Sequence, residues 1–404
     1  MNILYISNHF SFSHQPGAPR PIKVTQFLAS QGYNVTVITN RNHYLDDRYC
    51  LESGIYSVNS NFHYQLLSVA TPAGRRRNLL LRLINYLAFS VQSFKRALAL
   101  PKQDIIIVGT PPLLVPVVGL VLKWCTESKI ILEVRDLYPE TAVSLGKLKN
   151  RLIELLWRKW ENLLRRRYDH VVAVVPGIKN ELVAQGIDEG KITIITNGYD
   201  GENADVTLPP EINTFFYQHQ KHLKIIYGGG MGYGIDLLPV LQAARSLRNS
   251  TDIVFAFFGQ GEKRKEYIKY ANQENLSNVF FFHPQPRRVI KKVYQKADIL
   301  IHSFIDDVFF RHAFPNKIFD YHGAGTAIVF AGDGETAELI RQAGSGIVVE
   351  PENHDAIVQA ISFLYEYPSK RIEMGKRGQQ YIKKYFSRER IFQLWNEVLY
   401  KLKE

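Results

Sequence analysis

The sequence predicts an α/β protein built from two doubly wound domains, and three observations carry that expectation. Short β-branched or aromatic runs alternate with longer helical patterns, the mark of a parallel sheet covered on both faces. The alternation stops once, across residues 197–222, and then restarts. The length, 404 residues, is enough for two or three domains with sizeable cores.

In the first block the strand candidates are residues 3–7, 35–39, 63–69, 105–108, 130–134, 171–175 and 192–195. Helical patterns fall between them at 21–31, 79–98, 113–124, 151–165 and 178–185. The break holds Asn197-Gly198-Tyr199-Asp200-Gly201 and Pro209-Pro210, residues that punctuate turns, and it reads as a linker. Strands resume at 223–227, 253–258, 279–282, 299–302, 327–330 and 347–349, and three helical patterns close the chain after Asn353. The expected division is residues 1–200, a linker at 201–222, residues 223–387 and a last helix at 388–404. Ligands in such domains gather at the carboxyl ends of the strands, in a cleft that the two domains face.

Composition narrows the class. With 46% hydrophobic and 22% charged residues, the chain is not disordered, collagenous or a coiled coil. The two cysteines, Cys50 and Cys125, are too few for a disulfide framework or a multi-cysteine metal site, which suits a reducing compartment. Met1-Asn2-Ile3-Leu4-Tyr5-Ile6 lacks a basic region, so no signal peptide is expected. The longest uncharged apolar stretch, residues 113–122, is far short of the about 20 residues of a spanning helix. The net charge is +12. Arg75, Arg76, Arg77, Arg82, Lys95, Arg96 and Lys102 share a stretch with no acid, and residues 147–167 are also basic. Anionic partners follow: nucleic acid, a membrane surface or phosphorylated small molecules.

Four segments hold side chains suited to chemistry. The first strand runs into a long loop with His9, His14, Gly17 and Arg20, where Gly17 would let backbone amides approach a phosphate at a helix start. The strand at 130–134 ends in Arg135-Asp136-Leu137-Tyr138-Pro139-Glu140, and Asp136 or Glu140 could serve as base toward an acceptor hydroxyl. The competing reading is an Arg–Asp pair with a helix-capping carboxylate. Thr110-Pro111-Pro112 would line the same site. The second domain opens with a strand and then Gly228-Gly229-Gly230-Met231-Gly232-Tyr233-Gly234, so Gly230 and Gly232 are candidates for amide contacts to phosphate. The last segment runs from Arg311-His312 through Pro315-Asn316-Lys317 to Asp320, with Gly323 and Gly325 at the helix end. Asn316 and Asp320 share a helix face. Arg311 and Lys317 could neutralise a diphosphate, and Asp320 could accept both hydroxyls of a ribose. Glu335 and Glu338 follow the next glycine turn.

These motifs resemble the family 4 glycosyltransferases. The stretch from Phe314 to Ile340 looks like the family's donor-site signature, and residues 171–187, 192–200 and 352–387 are similar to its other conserved-type segments. The runs "VRDLYPETAVSLGKL" and "GTPPLLVPVVGL" are similar to a bacterial subgroup that transfers amino sugars in surface-polysaccharide (O-antigen or capsule) synthesis. The resemblance implies the GT-B fold, two Rossmann-like domains facing across a cleft, with an N-terminal acceptor domain, a C-terminal nucleotide-sugar donor domain and a last helix returning to the first domain. It implies a retaining transfer of a hexosyl or N-acetylamino sugar without a metal ion or other cofactor, from a nucleotide-diphosphate sugar, expected to be a UDP-sugar, to a lipid-diphosphate-linked or saccharide acceptor. The alternative readings are a non-catalytic GT-B relative and a sugar-nucleotide epimerase.

The family's two-glutamate signature falls here on His312 and Asp320, so the first acid is replaced and the second is a methylene shorter. Glu338 matches the acid of the family's G-G-x-x-E turn. The catalytic candidates are His9, Asp136 and Glu140, and the donor-binding candidates are Gly17, Gly230, Gly232, Arg311, His312, Asn316, Lys317, Asp320, Glu335 and Glu338. The expected location is cytoplasmic, peripheral at the inner face of the cytoplasmic membrane, with an anionic membrane surface as partner and no nucleic acid. Residues 78–98 would form a helix whose polar stripe (Asn78, Arg82, Asn85, Gln92, Arg96) is narrow, and the basic helix near 149–167 carries Trp157 and Trp160.

Overall fold

The structure, a computed structural model, describes the chain apart from residues 13–14, 16–18, 44–48, 73–78, 113, 141–142, 144–147, 149, 202–205, 233, 251 and 404 and the side chains of 79, 80, 82, 308 and 309. The chain forms two compact units, residues 1–196 with 391–404, and residues 197–390.

The first unit holds strands β1 (Asn2–Ile6), β2 (Asn34–Asn40), β3 (Gly54–Ser57), β4 (His63–Val69), β5 (Ile105–Gly109), β6 (Lys129–Val134), β7 (His170–Ala173) and β8 (Ile192–Ile194). Its helices are α1 (Arg20–Ser30), α2 (Leu79–Leu98), α3 (Val115–Thr126), α4 (Arg151–Arg165) and α5 (Pro176–Ala184). The sheet order is β3-β4-β2-β1-β5-β6-β7-β8. Every pairing is parallel except β3 with β4. The central strands are apolar throughout because both faces are covered, and β5 reads Ile-Ile-Ile-Val-Gly with every residue buried. Tyr5, Ile107 and Val172 turn one face toward α1 and the C-terminal helix Arg388–Lys403, where Leu28, Trp395 and Leu399 complete the core. On the other face α2 packs on α3 and α3 on α4, the placement that right-handed crossovers impose.

The second unit holds α6 (Pro210–Gln218), β9 (Leu223–Gly228), α7 (Leu238–Ser246), β10 (Ile253–Phe258), α8 (Arg264–Gln273), β11 (Val279–Phe282), α9 (Arg287–Gln295) and β12 (Ile299–Ser303). It continues with α10 (Asn316–Ala324), β13 (Ala327–Ala331), α11 (Glu335–Ala343), β14 (Gly346–Val349), α12 (His354–Glu366) and α13 (Pro368–Tyr385). All six strands run parallel in the order β11-β10-β9-β12-β13-β14. That is the doubly wound order with its reversal between β9 and β12, the place where such sheets bind ligands.

Two expectations change. The linker read at 201–222 contains α6, whose Ile212, Phe215 and Phe216 are buried with Val254, Phe258 and Val293 of the second core. Pro210 is its first residue, so the proline pair starts a helix rather than marking a tether. The edge strand β3 was not expected, because its Gly54, Ile55 and Ser57 are exposed and show no alternation.

Candidate functional site

In the second unit the loops after β9 and β12 meet the reversal of strand order. Gly229 follows β9 with φ of 138°, and a Cβ there would lie 2.4 Å from the Lys317 ammonium. Only glycine admits that approach. The amides of Gly229 and Met231 donate to Phe258 (2.8 Å) and Gln260 (2.9 Å), so these two hold the turn and are not offered to a ligand. Gly230 is exposed, with open space where a Cβ would be. Among the described residues, Gly232 has only the Glu262 carboxylate near, at 3.4 Å from the Cβ position.

Lys317 stands in the first turn of α10, which Pro315 precedes in extended conformation. Its Nζ donates to the Tyr227 hydroxyl (2.9 Å) and lies 4.4 Å over the same ring. Burial brings its pKa down to about 7. Tyr227, on β9, is itself raised well above the usual phenol value by burial. His302, on β12, stacks against Tyr227 with 6.0 Å between rings, and both its ring nitrogens are buried without a hydrogen bond. Burial first, then the Lys317 charge, hold it well below the usual imidazole value. The sequence reading found Lys317 and the glycines but missed Tyr227 and His302, which look like ordinary strand residues.

Arg311 and His312 end a 3-10 turn, Val308–His312. Arg311 is exposed, with loose contacts to Asp306 (3.7 Å) and Asp333 (3.9 Å). Asp306, Asp307, Asp333 and Arg311 line a small open recess with Phe304, Ile305 and Phe310. Gly334 has φ of 80°, and a Cβ on it would lie 2.0 Å from the Arg311 carbonyl, so this turn packs on the Arg311 backbone. The Thr336 hydroxyl donates to the Ala313 carbonyl (2.8 Å), tying the start of α11 to the same segment. Glu335 opens α11 beside that turn, while Glu338 is exposed and accepts from Gln342 (2.9 Å) on its own helix. Asn316 is the first residue of α10 and is partly buried.

Asp320 differs from its expected state. It is buried and accepts from Arg287 (2.9 Å), with Lys291 at 3.8 Å. Asp200 joins through Arg388 (2.8 Å) and Arg287 (3.8 Å), so three cations share two carboxylates. Burial raises the Asp320 pKa against the pull of Arg287 and Lys291. A ribose would have to share this carboxylate with Arg287. The partners come from α9 and from residue 200, which no local motif announces.

In the first unit the strand order reverses between β1 and β5. Glu133, fully buried at the end of β6, accepts from Arg20 (2.6 Å), Tyr5 (2.7 Å) and Arg135 (2.8 Å). Burial raises its pKa and is overcome by Arg135, Arg20 and the Tyr5 hydrogen bond, leaving it at about 2. Arg135, read as a partner for Asp136, pairs with Glu133 instead. Asp136 is partly buried, and desolvation raises its pKa while Arg135 opposes. Glu140 is held by Arg158 at 2.8 Å, which spends its charge on an ion pair. His9 is partly buried, with its carbonyl accepting from Ser7 (3.1 Å). Gly17 lies outside the described residues.

Two doubly wound units in one chain, each with a strand-order reversal, define the GT-B class of fold. Residues 24–198 match the family described as glycosyl transferase 4-like domain, and residues 219–381 match glycosyl transferases group 1. The chain belongs to the GT-B glycosyltransferases. A glycosyltransferase from Rickettsia africae ESF-5 superposes with TM-score 0.70 at 16% identity, covering 100% of this chain and 98% of that one. Anabaena HepE in complex with UDP-glucose does so with TM-score 0.72 at 15% identity, covering 99% and 100%. Sucrose-phosphate synthase from Thermosynechococcus elongatus gives 0.75 at 15% identity, covering 99% and 98%. At these identities the likeness establishes the fold. Among curated proteins no sequence matches the chain.

Proposed function

We propose that this glycosyltransferase moves a hexosyl or N-acetylamino sugar from a UDP-sugar to a lipid-linked or saccharide acceptor, with retention, in bacterial surface-polysaccharide synthesis at the inner face of the cytoplasmic membrane. The observation that carries the donor reading is Lys317 seated against Gly229 at the strand-order reversal, beside the open backbone at Gly230. A diphosphate there would take the Lys317 ammonium and the Gly230 amide, with exposed Arg311 nearby in sequence on the preceding turn. The nucleoside would reach Asp320 by sharing it with Arg287. The HepE complex with UDP-glucose, of the same fold, supports UDP as the nucleotide.

In the transfer the bond from the anomeric carbon to the diphosphate oxygen breaks, and the acceptor oxygen bonds to that carbon on the same face. The acceptor proton passes to the departing phosphate oxygen, so the residues need only stabilise developing charge. Lys317 and Arg311 fill that role. His9 and Asp136 then orient the acceptor rather than act as base, and Glu140 is committed to Arg158.

The test is incubation of the full chain with labelled UDP-sugars and a polyprenyl-diphosphate-linked acceptor, with the anomeric configuration of product read by NMR. Transfer with retention, lost in Lys317→Ala, is the expected result. A chain that binds no nucleoside diphosphate in calorimetry would overturn the donor reading. One that binds UDP-sugar yet transfers nothing would favour the non-catalytic relative, the reading that His312 in place of the family's acid motivates.

A further inference from the structure

Two helices on one face of the first sheet expose an unusual number of apolar side chains. Helix α2 buries Phe89, Ser90, Ser93 and Ala97, while Leu83 is 55% exposed and Leu81, Ile84, Leu87 and Val91 are exposed with it. Helix α4 buries Leu164 together with Glu161 and Arg165, which pair at 3.1 Å, and Arg165 also donates to the Tyr138 carbonyl and to Gln185. Its Leu156 is 58% exposed, as are Leu152, Ile153, Leu155 and Leu163 to similar degree. A water-facing helix shows its polar residues and hides its leucines. Single exposed leucines need no explanation, but ten apolar side chains on two helices that flank a third do. Between them α3, which ends at Thr126, carries Trp124 in its last turn, 68% exposed.

The placement is not random along the helices. Leu81 to Leu87 and Leu152 to Leu156 fall in the first halves of α2 and α4. A helix returning between parallel strands begins at the strands' carboxyl end, so both apolar halves lie at the end of the sheet where ligands bind.

The exposed charge on α2 and α4 is mostly positive, and the exposed Glu127 just after α3 lies by Lys102 at 3.6 Å. Lys95 and Arg96 on α2, and Arg151, Lys159, Arg166 and Arg167 on or just after α4, are exposed. Helix α2 has no acid, and on α4 Glu154 is paired with Arg158 and Glu161 is buried. A second copy of the chain would set these cations against their own kind.

We infer that the α2–α3–α4 face docks on an anionic lipid bilayer, its leucines entering the headgroup boundary and its lysines and arginines meeting lipid phosphates. The partly buried Trp157 and Trp160 on α4 suit that depth. The docking rests on the lipid-linked acceptor of the proposed function only for its use: it would hold the acceptor end of the sheet against the surface that carries the acceptor. Arg75, Arg76 and Arg77, expected to share in docking, lie outside the described residues.

Flotation of the full chain with phosphatidylglycerol-containing vesicles tests it, without nucleotide sugar or acceptor. The wild type should float at low salt, and high salt should reduce the floated fraction about tenfold or more. Leu83→Asn/Leu87→Asn/Leu156→Asn and Arg151→Gln/Lys159→Gln/Arg167→Gln, all exposed positions, should each float far less while keeping the wild-type circular dichroism. Pure phosphatidylcholine vesicles should float little of any form. A wild type that stays down with anionic vesicles, or a leucine variant that floats as well, overturns the inference. So does a wild-type dimer in ultracentrifugation that the leucine variant dissolves, since a second copy would then cover the face. Because no transfer is measured, failure of the proposed activity would leave the flotation result standing, and the reverse.

Discussion

The Lys317 ammonium is held by an aromatic ring: it donates to the Tyr227 hydroxyl at 2.9 Å and lies 4.4 Å above the same side chain. A neutral partner leaves the charge available for an incoming anion. Replacing Lys317 with Ala should weaken UDP and UDP-sugar by about 1.5–3 kcal/mol, the worth of a charged hydrogen bond. Uridine, which lacks the diphosphate, should bind the variant as it binds wild type. Calorimetry with the three ligands decides, and equal losses for all of them would remove Lys317 from the diphosphate.

Binding should also be linked to protons. Burial lowers Lys317 from 10.5 to about 7, so between those values the unfolded chain binds more protons and this group's share of stability rises with pH. A bound diphosphate favours the ammonium and pulls the pKa back up. UDP affinity should therefore fall as pH rises above about 7, by up to about tenfold per unit, with proton uptake on binding at pH 8. His302 lies well below and Tyr227 well above this window, so neither titrates within it. Lys317→Arg, which stays charged, should flatten the profile. Titrations at pH 8 in buffers of different ionisation enthalpy measure the uptake, and its absence would contradict the linkage.

Neighbouring glycines should part company. Gly229→Ala puts a β-carbon into Lys317 at a left-handed φ, and should cost about 1–3 kcal/mol of stability as well as UDP binding. Gly230→Ala meets open space and should leave Tm unchanged, yet crowd a phosphate at that backbone and weaken UDP. Melting curves with and without UDP separate the two. Unaltered UDP affinity in Gly230→Ala would place the phosphates elsewhere.

The fold was legible where chemistry was local. Apolar β-branched runs mark β5 and β6 because both faces of those strands are covered, and Pro315 and Gly325 bracket α10 as start and stop. Helix α6 was hidden because Pro209-Pro210 serves a turn or a helix start equally well, and β3 because exposed edge residues carry no alternation. At the site, Lys317 and the glycines sit in short motifs that can be read. Tyr227, His302, Arg287 and Lys291 reach Lys317 or Asp320 from other strands and helices, and only the folded sheet brings them there. Glu133 is one acid in an apolar strand, and its three partners come from β1, α1 and the residue after β6.

That buried carboxylate gives the last prediction. Glu133 joins Tyr5, Arg20 and Arg135 in the interior of the first unit, and the Arg20 guanidinium continues to the Thr196 carbonyl at 2.7 Å. Glu133→Gln keeps the shape and removes the charge, leaving two guanidiniums without the carboxylate that pairs them. A broken buried pair costs about 3–5 kcal/mol, far more than an exposed one. The wild-type pKa of about 2 lies below the 4.5 of a free glutamate, so the unfolded chain takes up this proton first as pH falls. The stabilisation is therefore complete above about pH 4.5 and is lost toward pH 2. Urea unfolding at pH 7 should show the loss in Glu133→Gln, and the gap between wild type and variant should narrow as pH drops from 4.5 to 3. A variant within about 1 kcal/mol of wild type at pH 7 would mean that solvent or a shifted Arg135 replaces the carboxylate, and that the network orders the strand ends without holding them together.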